Sequence, residues 1–146
     1  MSAASNYLER KILDHTLGEG LRDYTSPANL YVGLFTGTAA TVKANIEAGT
    51  FSDEVASSYS YARTAVTFAA AATDSNGVSS AASTGNVTFP TANGGAWGTI
   101  TVIGIFDGNT RGGNNCLYYG ELTASKTVSD GDTFQISSGS LTVSLA

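Results

Sequence analysis

The stretch from Gly98 to Asp107 is the sequence feature that most constrains how this chain can fold. Its apolar side chains alternate between two faces of a predicted strand, with Ile100, Val102 and Phe106 on one and Ile103 and Ile105 on the other. Apolar residues on both faces require cover on both sides, which is typical of a central strand. The chain therefore needs at least one layer of structure above this strand and one below it.

Further short apolar runs predict additional strands. The predicted strands are residues 30–36, 61–68, 86–89, 98–107, 116–122, 133–136 and 141–145. Breaks rich in Gly, Asn and Pro separate them, and we expect the last two to pair as a hairpin through Ser138 and Gly139. Such a series of short strands indicates a mainly β fold, a single antiparallel β-sandwich of jelly-roll-like type over about residues 28–146.

One N-terminal α-helix is predicted before the strands, at about residues 6–18. Asn6 is a candidate N-cap, and Glu9 follows it at capping-box spacing. The spacing predicts that the apolar residues of this helix share one side; they are Leu8, Ile12, Leu13 and Leu17. That side has two possible uses, packing on the body of the same domain or docking on a neighbouring subunit.

The chain has 146 residues, which predicts one domain spanning residues 1–146. Only 13% of its residues are charged, about half the usual share. An uncharged but polar surface suits a protein that is packed against neighbours. The polar segment 37–60 reads as a long excursion between strands, and such excursions are usually functional or bound to a partner.

Charge and composition exclude several classes of function. The net charge is −5 and no basic cluster occurs, which argues against binding to nucleic acid or to anionic membranes. No apolar run approaches the ~18 residues that span a bilayer. The N-terminus shows no secretion signal, so we expect synthesis in a cytoplasm.

The residues that usually carry chemistry are scarce. His15 is the only histidine and Cys116 the only cysteine, so a catalytic triad or a zinc site lacks its members. Segment 107–112 resembles the start of a calcium loop, but Arg111 occupies a ligand position. We therefore predict no catalytic residue, no cofactor and no metal site.

Two further features leave alternatives open. Arg63 lies in an apolar strand, where it forms either an internal salt bridge or a contact with a ligand or a second subunit. Trp97 is either a core anchor or an exposed sugar-stacking ring. With Tyr59 and Tyr118, it would form the aromatic face of a carbohydrate-binding module that contacts host-surface glycans.

Several blocks of the sequence carry a resemblance to a known family. They are NYLE at 6–9, YTSPANLYVGLFT at 24–36, YARTAVTF at 61–68, VTFPTA at 87–92, WGTITVIGIFD at 97–107 and LYYGEL at 117–122. Together these blocks resemble the small proteins of tailed bacteriophages that are called tail-fibre-like. The resemblance covers nearly the whole chain.

The resemblance implies a non-enzymatic structural component of the virion with a β domain. Within that class, a tail or fibre component and a capsid decoration (cement) protein are both open. Because virion parts are symmetric, we expect a homo-oligomer, a trimer, which also contacts other virion proteins such as capsid or tail subunits. The candidate assembly contacts are Leu8, Ile12 and Leu17 of the helix, together with Arg63.

Overall fold

The structure, a computed structural model, describes residues 2–18, 20 and 22–145 of the chain. Within these residues the chain forms two helices and ten strands. The helices are α1 (Asn6–Leu17) and α2 (Ala39–Glu47). The strands are β1 (Ser2–Ala4), β2 (Leu30–Thr36), β3 (Thr64–Val66), β4 (Ala72–Thr73), β5 (Ser79–Ala82), β6 (Val87–Thr91), β7 (Gly98–Phe106), β8 (Cys116–Val128), β9 (Thr133–Ile136) and β10 (Thr142–Leu145).

The strands form three antiparallel sheets. The largest has the order β1-β8-β7-β2-β3, and the smaller ones are β10-β5-β4 and β6-β9. The prediction of a mainly β sandwich with an N-terminal helix is confirmed. Strands β1, β4 and β5 were not predicted, because their alanine, serine and threonine residues give no apolar alternation.

Strand β7 lies at the centre of the large sheet, between β8 and β2, as its two apolar faces predicted. One side chain faces the other way from our prediction. Ile100 packs in the same core as Ile103 and Ile105, whereas Val102 and Phe106 pack in a second core. The register with β8 shifts between Ile100 and Val102, and such an irregularity reverses the alternation of side chains.

The larger core lies between the large sheet and the two smaller ones. It contains Val32, Leu34 and Ile105 from the large sheet, and Phe89 and Phe134 from β6 and β9. The second core lies on the opposite face of the large sheet, where α2 covers the side chains of β2 and β7.

Segment 37–60, predicted as a long excursion between strands, contains the helix α2. The segment contributes Val42 and Ile46 to the second core, where they pack with Phe35 and Phe106. Only two large apolar residues, four apart, mark its buried side in the sequence, too few for a periodic signal to emerge. The chain then returns alongside β2, where Val55 N–H donates to the Leu34 carbonyl at 3.0 Å.

The predicted C-terminal hairpin is wrong. The turn exists, since Ser140 N–H donates to the Ser137 carbonyl at 3.0 Å and Gly139 has a φ of 77°. However, β9 pairs with β6 and β10 pairs with β5, so the two strands enter different sheets. Turn chemistry predicts that a chain reverses but not which strands it then joins.

Helix α1 begins and ends close to the predicted residues. Ser5, not Asn6, is the N-cap, and its hydroxyl accepts a hydrogen bond from Leu8 N–H at 3.3 Å. Gly18 follows the last helical residue, and its N–H donates to the Asp14 carbonyl at 2.9 Å. Strand β1, immediately before the helix, pairs with β8 and thereby attaches the N-terminus to the edge of the large sheet.

Candidate functional site

Arg63 lies at the centre of a buried polar cluster. Its guanidinium donates two hydrogen bonds to the Glu54 carboxylate, from Nε to Oε1 at 2.7 Å and from Nη2 to Oε2 at 2.9 Å. Both side chains are 0% exposed. Two N–H groups that face two carboxylate oxygens make the strongest and most directional kind of ion pair in proteins. Glu54 reaches this position because residues 53–55 run antiparallel to the end of β2.

The rest of the guanidinium is also occupied within the domain. Arg63 Nη1 donates to the carbonyl oxygens of Gly108 and Gly113, each at 3.0 Å. Its Cζ atom lies 3.4 Å from the centroid of the Phe106 ring, so the cation also stacks on an aromatic face. Arg63 therefore connects the segment after β7 to the core of the sheet.

A second arginine fixes the same segment from the other side. Arg111 donates from Nη2 to the Glu54 carbonyl at 2.7 Å and from Nε to the Val55 carbonyl at 2.9 Å. Gly112 N–H donates to Glu54 Oε2 at 2.8 Å. The segment that resembled a calcium loop is thus held by arginine and backbone groups. Across residues 2–18, 20 and 22–145, no three His, Cys, Asp or Glu side chains cluster in a way that could hold a metal ion.

Tyr61 completes the cluster. Its hydroxyl donates to Glu54 Oε1 at 3.0 Å and accepts from Leu34 N–H at 2.9 Å. Burial, followed by the nearby Glu54 charge, raises the pKa of Tyr61. The phenol therefore stays neutral and serves as a hydrogen-bond relay rather than as an acid.

The cluster decides between the two uses predicted for Arg63. The side chain forms an internal salt bridge, and it presents no surface to a ligand or to a second subunit. This removes Arg63 from the candidate assembly contacts. Sequence reasoning missed its partner Glu54, because the two residues meet only through the folding of the 37–60 segment against β2.

The apolar residues of α1 do not share one side, contrary to the prediction. Leu8 is buried beside β8, whereas Ile12, Leu13 and Leu17 are exposed, with 37%, 55% and 76% of their surface accessible. At 3.6 residues per turn, Leu17 lies two and a half turns beyond Leu8 and so points away from it. Leu8 is therefore a core residue, Ile12 lies at the margin between the two sides, and Leu13, absent from the predicted contacts, belongs with Leu17.

The three predicted stacking rings are not brought together on an exposed face. Trp97 lies in the larger core, edge-on to Tyr61 and Phe89, and its Nε1 donates to the Tyr59 carbonyl at 2.9 Å. Tyr118 is half-buried against the same core, which leaves Tyr59 as the exposed ring of the set. Of the two alternatives for Trp97, the structure shows the core anchor.

The remaining candidates for chemistry lie apart. Cys116 is buried in the second core, and desolvation raises the pKa of its thiol to about 12. His15 is exposed on α1. The thiol is therefore protonated at neutral pH and unsuited to act as a nucleophile. Neither helix of the described ranges is long and apolar enough to cross a membrane.

The geometry of the cluster does not identify a protein family, but comparison with known families does. Residues 3–144 match a family described as podophage GP4 fiber I protein gp80. No curated protein matches the chain. The match covers nearly the whole chain, and it confirms the resemblance to tail-fibre-like virion proteins. The chain therefore belongs to the family of the podophage GP4 fiber I protein gp80.

Proposed function

We propose that this chain is a non-enzymatic structural subunit of a phage fibre, and that its copies assemble into a trimer through the outward side of α1. One observation carries the proposal. Of the five large apolar side chains that are exposed among the described residues, three lie on this one helix. We call Leu13 and Leu17, which face away from buried Leu8, the outer apolar side of α1.

The energetics favour a partner for this side. Covering one leucine or isoleucine contributes roughly 1.5–3 kcal/mol relative to leaving it in water. Leu13 and Leu17 lie four residues apart and thus adjacent on the helix surface. An exposed pair of this kind is the arrangement that helices use when they dock into an apolar surface.

The helix is also held in a fixed position on the domain. Asn6 N–H donates to Glu47 Oε2 at 2.7 Å, which ties the start of α1 to the end of α2. Lys11 forms an ion pair with Asp23 at 3.3 Å, and Leu8 is buried. A docking element that is already ordered loses little entropy when it binds. The outer apolar side is therefore presented in a defined orientation.

The family assignment supports a fibre component over a capsid decoration protein, because its description names a fiber protein. Fibres are built from repeated copies of their subunits, and closed symmetric assemblies are the rule among homo-oligomers. The low content of charged residues, 13%, agrees with a surface that is partly covered in the particle.

Sedimentation analysis of the purified chain tests the assembly. We expect a trimer for the wild type and a monomer for the double variant Leu13→Gln with Leu17→Gln, because glutamine keeps the helix but removes the apolar surface. Leu145→Thr is the matched control, since Leu145 is 50% exposed but lies on β10. A wild type that stays monomeric at all concentrations contradicts the assembly, and a trimeric double variant contradicts the role of α1.

The position on the particle needs a second measurement, the copy number of this chain relative to the major capsid protein. Quantitative mass spectrometry of purified particles supplies it. A few copies per hundred capsid subunits agree with a fibre. A ratio near one to one, or a simple third of it, shows a decoration protein on the shell and contradicts the fibre assignment.

A further inference from the structure

The least deeply buried residues of the larger core lie together at one groove. The core's four most exposed members are Ile103, Phe134, Ile136 and Leu141, at 8–9% each, while every other buried residue of this core is at 6% or less. All four line the same groove, whose volume is about 610 Å³. We call it the β8–β9 groove. A smaller depression of about 260 Å³ shares Ile103 and Leu141 with it and extends it toward β10.

The walls of the β8–β9 groove are two strands that diverge. β8 and β9 are consecutive in the chain, but β8 pairs with β7 in the large sheet and β9 pairs with β6. The space between them therefore reaches down to apolar core residues. Leu122 on β8 adds a further apolar side chain, and the exposed residues Lys126 and Asp132 stand at the rim.

The shape of the β8 wall argues against an extended peptide as the occupant. Between the pairs formed by Glu121 and Lys126, four residues of β8 stand opposite a single residue of β7. An irregular strand that carries an exposed lysine is one of the devices that prevent pairing along a sheet edge. The groove is thus suited to apolar side chains rather than to an added strand.

We infer that α1 of one copy inserts Leu13 and Leu17 into the β8–β9 groove of a second copy. This inference rests on the proposed assembly through α1 and names the surface that the helix meets. The outer apolar side is an exposed ridge, and the groove is lined by the least deeply buried residues of the larger core. The ridge presents apolar side chains that are exposed to water, and the groove presents an apolar surface that can cover them.

The charges beside the two surfaces agree with this contact. Arg10 is exposed and precedes Leu13 by three residues, which places it next to the outer apolar side. Asp132 is exposed at the rim of the groove. Lys126 stands at the same rim, so the orientation that sets Arg10 beside Asp132 and away from Lys126 is favoured over its reverse.

The contact has a consequence for symmetry. It joins two different surfaces, so each copy offers a helix to one neighbour and a groove to the other. Such a head-to-tail contact closes into a ring when the rotation between copies divides a full turn, and three copies form the trimer proposed above. A helix-to-helix contact would instead pair identical surfaces and leave the groove open.

Two variants separate these arrangements. The helix variant, Leu13→Gln with Leu17→Gln, has an intact groove. The groove variant, Thr123→Lys with Ser140→Lys, has an intact helix, and both substituted residues are exposed at the groove mouth, so the fold is retained. Circular dichroism of each variant checks that it is folded.

Sedimentation of the variants alone and mixed gives the decisive result. We expect each variant to be monomeric alone, and an equimolar mixture, at the highest concentration that keeps both soluble, to form a dimer with one copy of each. In that dimer the groove variant's helix occupies the helix variant's groove, and no third copy can add. A groove variant that assembles like the wild type, or a mixture that stays monomeric, overturns the inference but leaves assembly through α1 standing. A monomeric wild type overturns the proposed function itself.

Discussion

Arg63 and Glu54 form a bidentate ion pair in which neither side chain is exposed to solvent. The pair joins three stretches of chain that are distant in sequence: residues 53–55, the start of β3, and the segment 108–113 after β7. The pair lies beside the second core, because the Arg63 guanidinium stacks on the ring of Phe106. The cluster therefore fixes the positions of two connecting segments, residues 53–55 and residues 108–113.

Removal of one partner from this ion pair should be costly. In Glu54→Gln the Arg63 charge stays buried but loses its counter-charge, and breaking a buried pair in this way destabilises a protein by about 3–5 kcal/mol. Urea unfolding measures the loss. Lys43→Ala is the control, because the Lys43–Glu121 pair is exposed and should contribute less than about 1 kcal/mol. Equal losses in the two variants would contradict the role of burial.

Two paired glycines make room for the ring beneath Arg63. Gly33 on β2 lies opposite Gly104 on β7, and a Cβ atom on Gly104 would lie 2.8 Å from Cε2 of Phe106. Gly104→Ala should therefore displace the ring and cost about 1–3 kcal/mol of unfolding free energy. The control is Gly85→Ala, where a Cβ atom meets nothing within 4 Å, so no loss is expected. A tolerated Gly104→Ala would show that the ring can move freely.

The sequence predicted the parts of the fold that depend on local pattern. Strand β7, strand β2 and helix α1 were found because alternation, helical spacing and capping residues are encoded within each segment.

The parts that failed depend on contacts between distant segments. Nothing local to β9 and β10 tells which strands they pair with, and the position of Glu54 follows from the packing of α2 against the sheet. The outward direction of Leu17 was available in the sequence, since nine residues at 3.6 per turn reverse the side of a helix. Leu17 was nevertheless predicted to share a side with Leu8, because Ile12 and Leu13 occupy intermediate positions around the helix.

Trp97 should affect stability rather than sugar binding. Its side chain contacts Tyr61 and Phe89 in the larger core, and truncation of a buried tryptophan to alanine costs about 3–5 kcal/mol. Trp97→Phe keeps a ring but loses the hydrogen bond to the Tyr59 carbonyl, so a smaller loss is expected. Thermal unfolding followed by circular dichroism ranks the variants. A fully stable Trp97→Ala chain that no longer binds a glycan array would restore the carbohydrate-binding alternative.

Stability should fall at alkaline pH, first because of Cys116. Burial raises the pKa of its thiol from 9.0 to about 12 in the folded chain. Between these values the unfolded chain has released the proton and the folded chain has kept it, so the free energy of unfolding decreases as pH rises. The slope from one such group is at most about 1.4 kcal/mol per pH unit. The stabilisation is complete below pH 9 and is lost as pH approaches 12.

Tyr61 and Tyr119 add a second, later decrease that can be separated from the effect of Cys116, because burial raises the pKa of both phenols. Burial, together with its hydrogen bond to Glu47, raises the pKa of Tyr119 from 10.0 to about 12. Urea unfolding at half-unit steps from pH 8 to 11 measures the combined effect. In Cys116→Ala the decrease between pH 9 and 10 should disappear, while the decrease above pH 10 remains, because tyrosine ionises later than the thiol in the unfolded chain. A wild-type stability that does not change between pH 8 and 10 would show that the thiol is accessible to water in the folded protein, and that the second core is open at Cys116.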